Sequence, residues 1–554
     1  MKRIQLITLI LPFLVIFNAC DNMNKKVDVI IFSTKIYTVD PDFSIAQAMA
    51  VRHGKIVAIG SNEDIFDNYT AENAYNASGK AVYPGFIDGH CHFYWYGAGL
   101  LQNADLVGTE TFDEIIEIVK EHHQKTNMEW ILGRGWDQND WPEKKYPTRE
   151  KLDELFPDNP VVLTRIDGHA LLANSEALRR ADINSETKIE GGEVILDING
   201  EPTGVLIDNA MDPVREMIPQ LSNEQHAEAL DIAQQNCFAA GLTSVVDAGL
   251  EKDLVLLIDS MQQKGRLKMK INAMLSPNEE NLEHFIEKGP YLTDKLSVRS
   301  IKLYADGALG SRGALLLDEY SDDPGKHGLL IKEPDYYRKW ALIANDNNFQ
   351  VCTHTIGDSG ARIMLDIYGE FLKGENDKRW RIEHAQIIHP NDMHKFGKYS
   401  VIPSVQGTHA TSDMYWAEER LGPERIKWSY AFEELLDENG WLINGTDFPI
   451  ENISPLYTFY ASVARKDLEG YPEQGFLKEN ALNRTNALKS MTLWAAKGSF
   501  EEDKKGSLEP GKHADFVILE KDIMEIPEEE IPSVKIASTF VDGEEVFRNE
   551  SQND

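Results

Sequence analysis

Between residues 81 and 449 the chain alternates short apolar runs with longer stretches in which apolar residues recur at helical spacing. Eight runs read as strands: AVYPGFIDGH (81–90), GLTSVVDAG (241–249), KMKINAML (268–275), VRSIKLYADG (298–307), FQVCTHTIG (349–357), RWRIEHAQ (379–386), YSVIPSVQG (399–407) and WLINGTDFP (441–449). Strands separated by helix-length segments are the pattern of βαβ units and a parallel sheet. Eight such units predict an α/β chain folded as a (β/α)8 barrel over residues 83–498. Chemistry in that fold sits at the C-terminal ends of the strands.

The flanks have a different period. VDVIIFSTKIYTVD, AQAMAVRHGKIVAIG and the stretch to Lys80 read as short strands with turns, notably at His53-Gly54, and KGSLEPGKHADFVILEKD and KIASTFVDGEEVFR repeat that character near the C-terminus. Neither piece alone has enough strands to cover a core. Residues 27–82 and 499–554 therefore predict one small β-sandwich domain assembled from both chain ends.

The first two barrel strands are separated by far more than one crossover. An insertion over about residues 100–236 follows the first strand, where a βα loop usually needs only ~2–6 residues. A second, Gly-rich excursion runs from Ser311 to Leu330. Both leave the catalytic face and are lid candidates. Trp136, His169 and Arg312 are the expected substrate contacts on them, and Trp95, Tyr96 and Trp141 hint at an apolar or aromatic substituent. The tryptophans could equally pack the insertion's own core.

Composition narrows the partners. Fifty-six basic against 91 acidic residues give a net charge of −35, which repels phosphate backbones and argues against nucleic acid. Lys2 and Arg3 precede an apolar run from Ile4 to Phe17, too short for a convincing membrane span, that ends in FNAC. Residues 1–19 resemble a bacterial lipoprotein signal, with Cys20 the lipidated residue and residues 20–26 a polar tether. That reading predicts an exported protein held on a bacterial envelope membrane by a lipid anchor alone. Phe17 departs from the small or branched residue usual there, which leaves simple secretion open. Cys91, Cys237 and Cys352 sit in apolar contexts and read as buried thiols.

The chemistry collects at the strand ends. His90 and His92 lie two apart on an extended segment, so both imidazoles can face one ion while Cys91 turns outward. His354 and His384 close the fifth and sixth strands, and neutral imidazoles there suit zinc or a similar divalent ion. Asp447 ends the eighth strand. Its carboxylate can hold the metal through one oxygen and take a proton from the attacking water with the other, the general-base role. A turn aspartate is the bland alternative. Lys302, after the fourth strand, has two readings. Carbamylated by CO2 it would be an anionic bridge between two metals; unmodified it would pair with Asp306 or Asp88 beside a single ion.

Histidines two apart after the first strand, lysine after the fourth, histidines after the fifth and sixth, and aspartate after the eighth together resemble the amidohydrolase superfamily. GSLEPGKHADFVIL (506–519) is similar to that family's return into its β-domain. The segments GWDQN, PTREKLDEL, DGHALLANSEAL and KLYADGALGSRGA resemble the subgroup that includes N-substituted formamide deformylases. The resemblance implies one metal held by His90, His92 and Asp447, a second by His354 and His384, and Lys302 bridging. It implies one or two divalent ions per chain, zinc being the expected metal, and hydrolysis of a non-peptide carbon–nitrogen bond of a small molecule by a metal-activated hydroxide. A homodimer is also common in the family. A lactone, carbamate or ester hydrolase using the same centre is the nearest rival, and a surface-tethered binding protein on the same barrel is the rival from another class.

Overall fold

The computed structural model describes residues 24–549, so Cys20 and the signal reading lie outside the described residues. All eight expected barrel strands form, each buried because helices cover its outer face. They are β1 (Phe86–Cys91), β2 (Leu242–Leu250), β3 (Lys270–Leu275), β4 (Leu296–Tyr304), β5 (Gln350–Thr355), β6 (Arg381–His384), β7 (Ile402–Gln406) and β8 (Ile443–Gly445). Neighbours pair in parallel from β1 through to β8.

The barrel is nearly closed, and its seam is made just past the end of β8. Asp447 N–H donates to the His90 carbonyl (2.8 Å) and His92 N–H to the Phe448 carbonyl (2.9 Å). Asp88, buried beneath them, accepts from the Thr446 hydroxyl at 2.7 Å. Gly445 permits this approach, because a Cβ there would lie 2.5 Å from His90 N and 2.7 Å from Asp88 Oδ1. The seam therefore ties the His90/His92 segment directly to the segment carrying Asp447.

Two further sheets pack as a sandwich. One, of four strands, comes wholly from the N-terminal flank; the other, of six, joins Ile45–Ala46, Lys35–Tyr37 and Ala81–Pro84, through the last of these, to the C-terminal strands Phe516–Leu519, Ile536–Val541 and Glu544–Arg548. Their shared core includes Ile31, Met49, Val51, Val82, Phe516 and Phe540. His53 and Gly54 both have positive φ (52° and 73°), the geometry of a tight hairpin turn. Lys270, at the start of β3, reaches across to this domain and meets Asp515 and Asp542.

After β1 the chain builds a six-stranded sheet spanning Asn103 to Asp208. The helix Asn223–Ala239, within the expected insertion, packs instead on Phe93–Gln102 and leads into β2. Cys91, Cys237 and Cys352 are free and buried. Among the described residues no helix is long and apolar enough to cross a membrane.

Candidate metal centre

β1 brings His90 and His92 to the mouth of the barrel with ring centroids 5.8 Å apart. Each ring is steered by its Nδ1: that of His90 lies 2.6 Å from Glu383 Oε2, and that of His92 3.2 Å from the Ala248 carbonyl. An imidazole donating from Nδ1 leaves the Nε2 lone pair free for a metal. Those Nε2 atoms lie 3.7 and 3.5 Å from Asp447 Oδ1. Arg381 in turn fixes Glu383 through Nε–Oε1 at 2.6 Å.

The other oxygen of Asp447 faces a second pair of histidines. Oδ2 is 3.6 Å from His409 Nε2 and 4.0 Å from His384 Nδ1, which also lies 2.7 Å from Gln406 Oε1. His384 and Asp447 both have positive φ (72° and 62°). Non-glycine residues adopt that conformation at a cost, and it clusters at functional sites where surrounding structure enforces it.

The donor set fits a divalent ion. His90, His92 and Asp447 form one group and His384, His409 and Asp447 another, with ligand atoms within 4.8 Å in each. Asp447 Oδ1 and His409 Nε2 are buried without a hydrogen-bond partner. Buried acceptors converging on one space are costly unless a cation lies among them. Imidazole nitrogens with a carboxylate oxygen are donors that suit zinc-like ions.

Burial sets the protonation states. It drives His90, His354 and His384 well below the ordinary imidazole value, lowers His92 to about 3 and lowers His409 to about 4. Their lone pairs are therefore free near neutral pH. Burial raises the Asp447 carboxyl, an effect that Lys302 opposes, and lowers the Lys302 ammonium against the pull of Glu383 and Asp447. Lys302 Nζ sits 3.0 Å from His90 Nε2. Neither Asp306 nor Asp88 pairs with it: Asp306 accepts from the backbone of Leu315, Ile356 and Gly357, and Asp88 from Thr446 and His90.

The expected residues divide. His90, His92, His384, Asp447 and Lys302 come together. His354 stands beside them, its ring 4.5 Å from that of His384; its Nε2 faces the Gly307 carbonyl at 3.5 Å, which leaves Nδ1 free as a donor. His409 joins the tight group as a further donor. It lies on the helix Gly407–Asp413 directly after β7, and a histidine three residues past a strand end is its only mark in the sequence.

Two of the expected substrate contacts are corrected. Trp136 lies in the core of the inserted sheet with Ile115, Val119 and Trp141, its indole N–H donating to the Leu163 carbonyl at 2.7 Å. A β-bulge between Arg134, which lines the cavity, and Trp136 turns the indole to the opposite face, toward the covering helix. Arg312 forms an ion pair with Asp322 at 2.9 Å and does not line the cavity. His169 does line it, with Nδ1 2.6 Å from Asp208 Oδ1. Burial alone would lower this imidazole, but the Asp208 carboxylate outweighs it and raises it. The cavity has a volume of about 740 Å³, with Trp95, Tyr96, Leu309 and Trp416 among its walls.

A nearly closed parallel barrel with nitrogen and oxygen donors gathered at its mouth defines a metal-dependent hydrolase. The chain matches the Amidohydrolase family profile over residues 73–547, and it belongs to that family. It is 33% identical over 541 residues to Protein LONG AFTER FAR-RED 3 of Arabidopsis thaliana, covering 94% of this chain and 91% of that protein. It is 25% identical over 547 residues to an N-substituted formamide deformylase of Arthrobacter pascens, covering 94% and 98%. The crystal structure of an uncharacterized metal-dependent hydrolase from Pyrococcus horikoshii superposes with a TM-score of 0.73 at 28% identity, covering 90% of this chain and 99% of that one.

Proposed function

We propose that this chain hydrolyses a carbon–nitrogen bond other than a peptide bond, in an amide of the N-substituted formamide kind. The observation that carries the reading is the pair of histidine groups meeting at the two oxygens of Asp447, one of which is buried and unpartnered. A divalent ion, zinc by preference, supplies Lewis-acid polarisation of a carbonyl and an attacking water acidic enough to react near neutral pH. His90, His92, His354, His384, His409 and Asp447 would hold it.

The remaining work falls to the chain's own side chains. The Asp447 carboxylate accepts the proton of the attacking water and returns it to the leaving nitrogen. His169, kept in orientation by Asp208, faces the same space and supports the carbonyl oxygen as charge develops there. Lys302 is buried and free of Asp306 and Asp88, which supports carbamylation: its neutral amine adds to CO2 and loses a proton, giving an anionic oxygen donor. The sequence of residues 1–20 supports export with a lipid anchor at Cys20.

The test is bound metal per chain in wild type and Lys302→Ala, alongside formate release from a panel of N-alkyl and N-aryl formamides. About two metals, one lost in the variant, with formate released, is the expected result. No metal after reconstitution would overturn the reading.

A further inference from the structure

The cavity continues past His92 and His169 into an adjoining lobe of about 610 Å³, walled by the inserted sheet. Two arginines reach it, Arg134 from the strand Ile131–Trp136 and Arg215 from the helix Asp212–Met217. They are anchored on the same turn. Arg134 Nη2 donates to the Ile166 carbonyl and Arg215 Nη2 to the Gly168 carbonyl, each at 3.0 Å. Gly168 takes φ +73° at this turn, a conformation that favours glycine.

Neither guanidinium is paired with an acid. Among the described residues neither has a carboxylate within ion-pair distance, and Arg134 Nε is buried with no partner at all. The nearby acids are engaged elsewhere: Asp137 and Asp167 with Arg165, and Asp208 with His169. Asp212, on the same helix as Arg215, also lines the lobe and acts on that arginine's charge from beyond ion-pair distance. Arg165, Lys270 and Arg381, which are buried, each hold a carboxylate, whereas the buried Arg465 rests on the Phe476 and Tyr430 carbonyls. Two cations placed side by side without a paired carboxylate repel each other, and each keeps donors that no protein group uses. Burial, and then the charge of Arg215, lowers Arg134 to about 10, the direction that a bound anion would reverse.

We infer that this lobe is a carboxylate site: Arg134 and Arg215 hold a carboxylate of the substrate while the group to be cleaved lies at the metal centre. The planar fork of each guanidinium matches a carboxylate's two oxygens. The inference rests on the proposed hydrolase reading for the identity of the ligand as substrate, but the site itself is testable without turnover.

The experiment is calorimetric binding of 4-phenylbutyrate and of its neutral isostere 4-phenylbutyramide to the metal-loaded full chain. Wild type is expected to prefer the carboxylate by at least ~10-fold, the factor expected for charge-assisted hydrogen bonds at a partly buried site. Arg134→Gln/Arg215→Gln should abolish the preference, and Arg134→Lys should keep part of it. Equal binding by wild type, or none, overturns the inference. So does a preference that survives in the double variant, because the carboxylate would then sit on the metal. Should the double variant fail to fold, Arg215→Gln alone carries the same comparison from a solvent-facing helix. Failure to find any hydrolysed formamide would leave this result standing and would bear only on the proposed reaction.

Discussion

Replacing Lys270 with methionine removes one charge from the joint between barrel and sandwich while keeping the apolar stem. Lys270 is 2% exposed, and its ammonium bonds both oxygens of Asp515 (2.7 and 2.6 Å) and Asp542 Oδ1 (2.8 Å). In the variant Asp542 still has His513 at 2.6 Å and Lys295 at 3.6 Å, so its charge stays answered. Asp515, 5% exposed, keeps only the Asp542 backbone N–H of these contacts. The cost is that of one buried carboxylate left without its cation. Breaking a buried pair costs ~3–5 kcal/mol, and about 3 is expected here, because only one of the two acids is stranded. Urea unfolding at pH 7 measures it, with the denaturant slope checked for constancy.

The same experiment carries a pH signature. Burial alone would raise Asp542, but bonds from His513 and Lys270 outweigh it and lower its carboxyl, so its stabilisation is present above the unfolded value of about 3.9 and is lost as pH falls through the folded one. Burial alone would lower Lys270, but Asp515 and Asp542 outweigh it and raise it; its stabilisation is complete below about 10.4 and is lost as pH rises through the folded value. The difference between wild type and variant should thus be level from about pH 5 to 9 and shrink on both sides. Adding Asp515→Asn should restore much of the loss. A loss below ~1 kcal/mol, the worth of an exposed pair, or a double variant no better than the single, would refute the reasoning.

Three further outcomes are expected at the site. Asp447→Asn should lower kcat by roughly 10²–10⁴-fold with the melting temperature unchanged, the span for loss of a general base; full retained activity would remove that assignment. His409→Ala should reduce bound metal in elemental analysis, because its buried Nε2 faces Asp447 and has no hydrogen-bond partner; unchanged metal content would leave the ligand set implied by the resemblance. Gly445→Ala should cost ~1–3 kcal/mol by overpacking and weaken metal binding, since its Cβ would press on the backbone of His90; unchanged stability and metal content would show that the seam yields.

Most of the barrel could be read along the chain because burial on both faces leaves a local mark. Each strand is a short apolar run, and its last residues carry the polar groups that face the mouth, so His90, His92, His384, Asp447 and Lys302 were legible from position alone. The sandwich was legible for a related reason: two strand-rich flanks, each too small to close a core, have to meet. What the sequence could not supply was the rotation of individual side chains. The turning of His354 to a carbonyl and the arrival of His409 from a helix depend on contacts between residues far apart in the chain. So does the fate of the excursions, where Trp136 packs into the inserted core and Arg312 pairs with Asp322, neither of them lining the cavity that Arg134 and Arg215 reach. Local pattern determines which elements form and which end of the barrel bears the chemistry. Only tertiary packing decides which donors converge within one ion's reach, because a charge or lone pair is directed by whatever partner the fold places beside it.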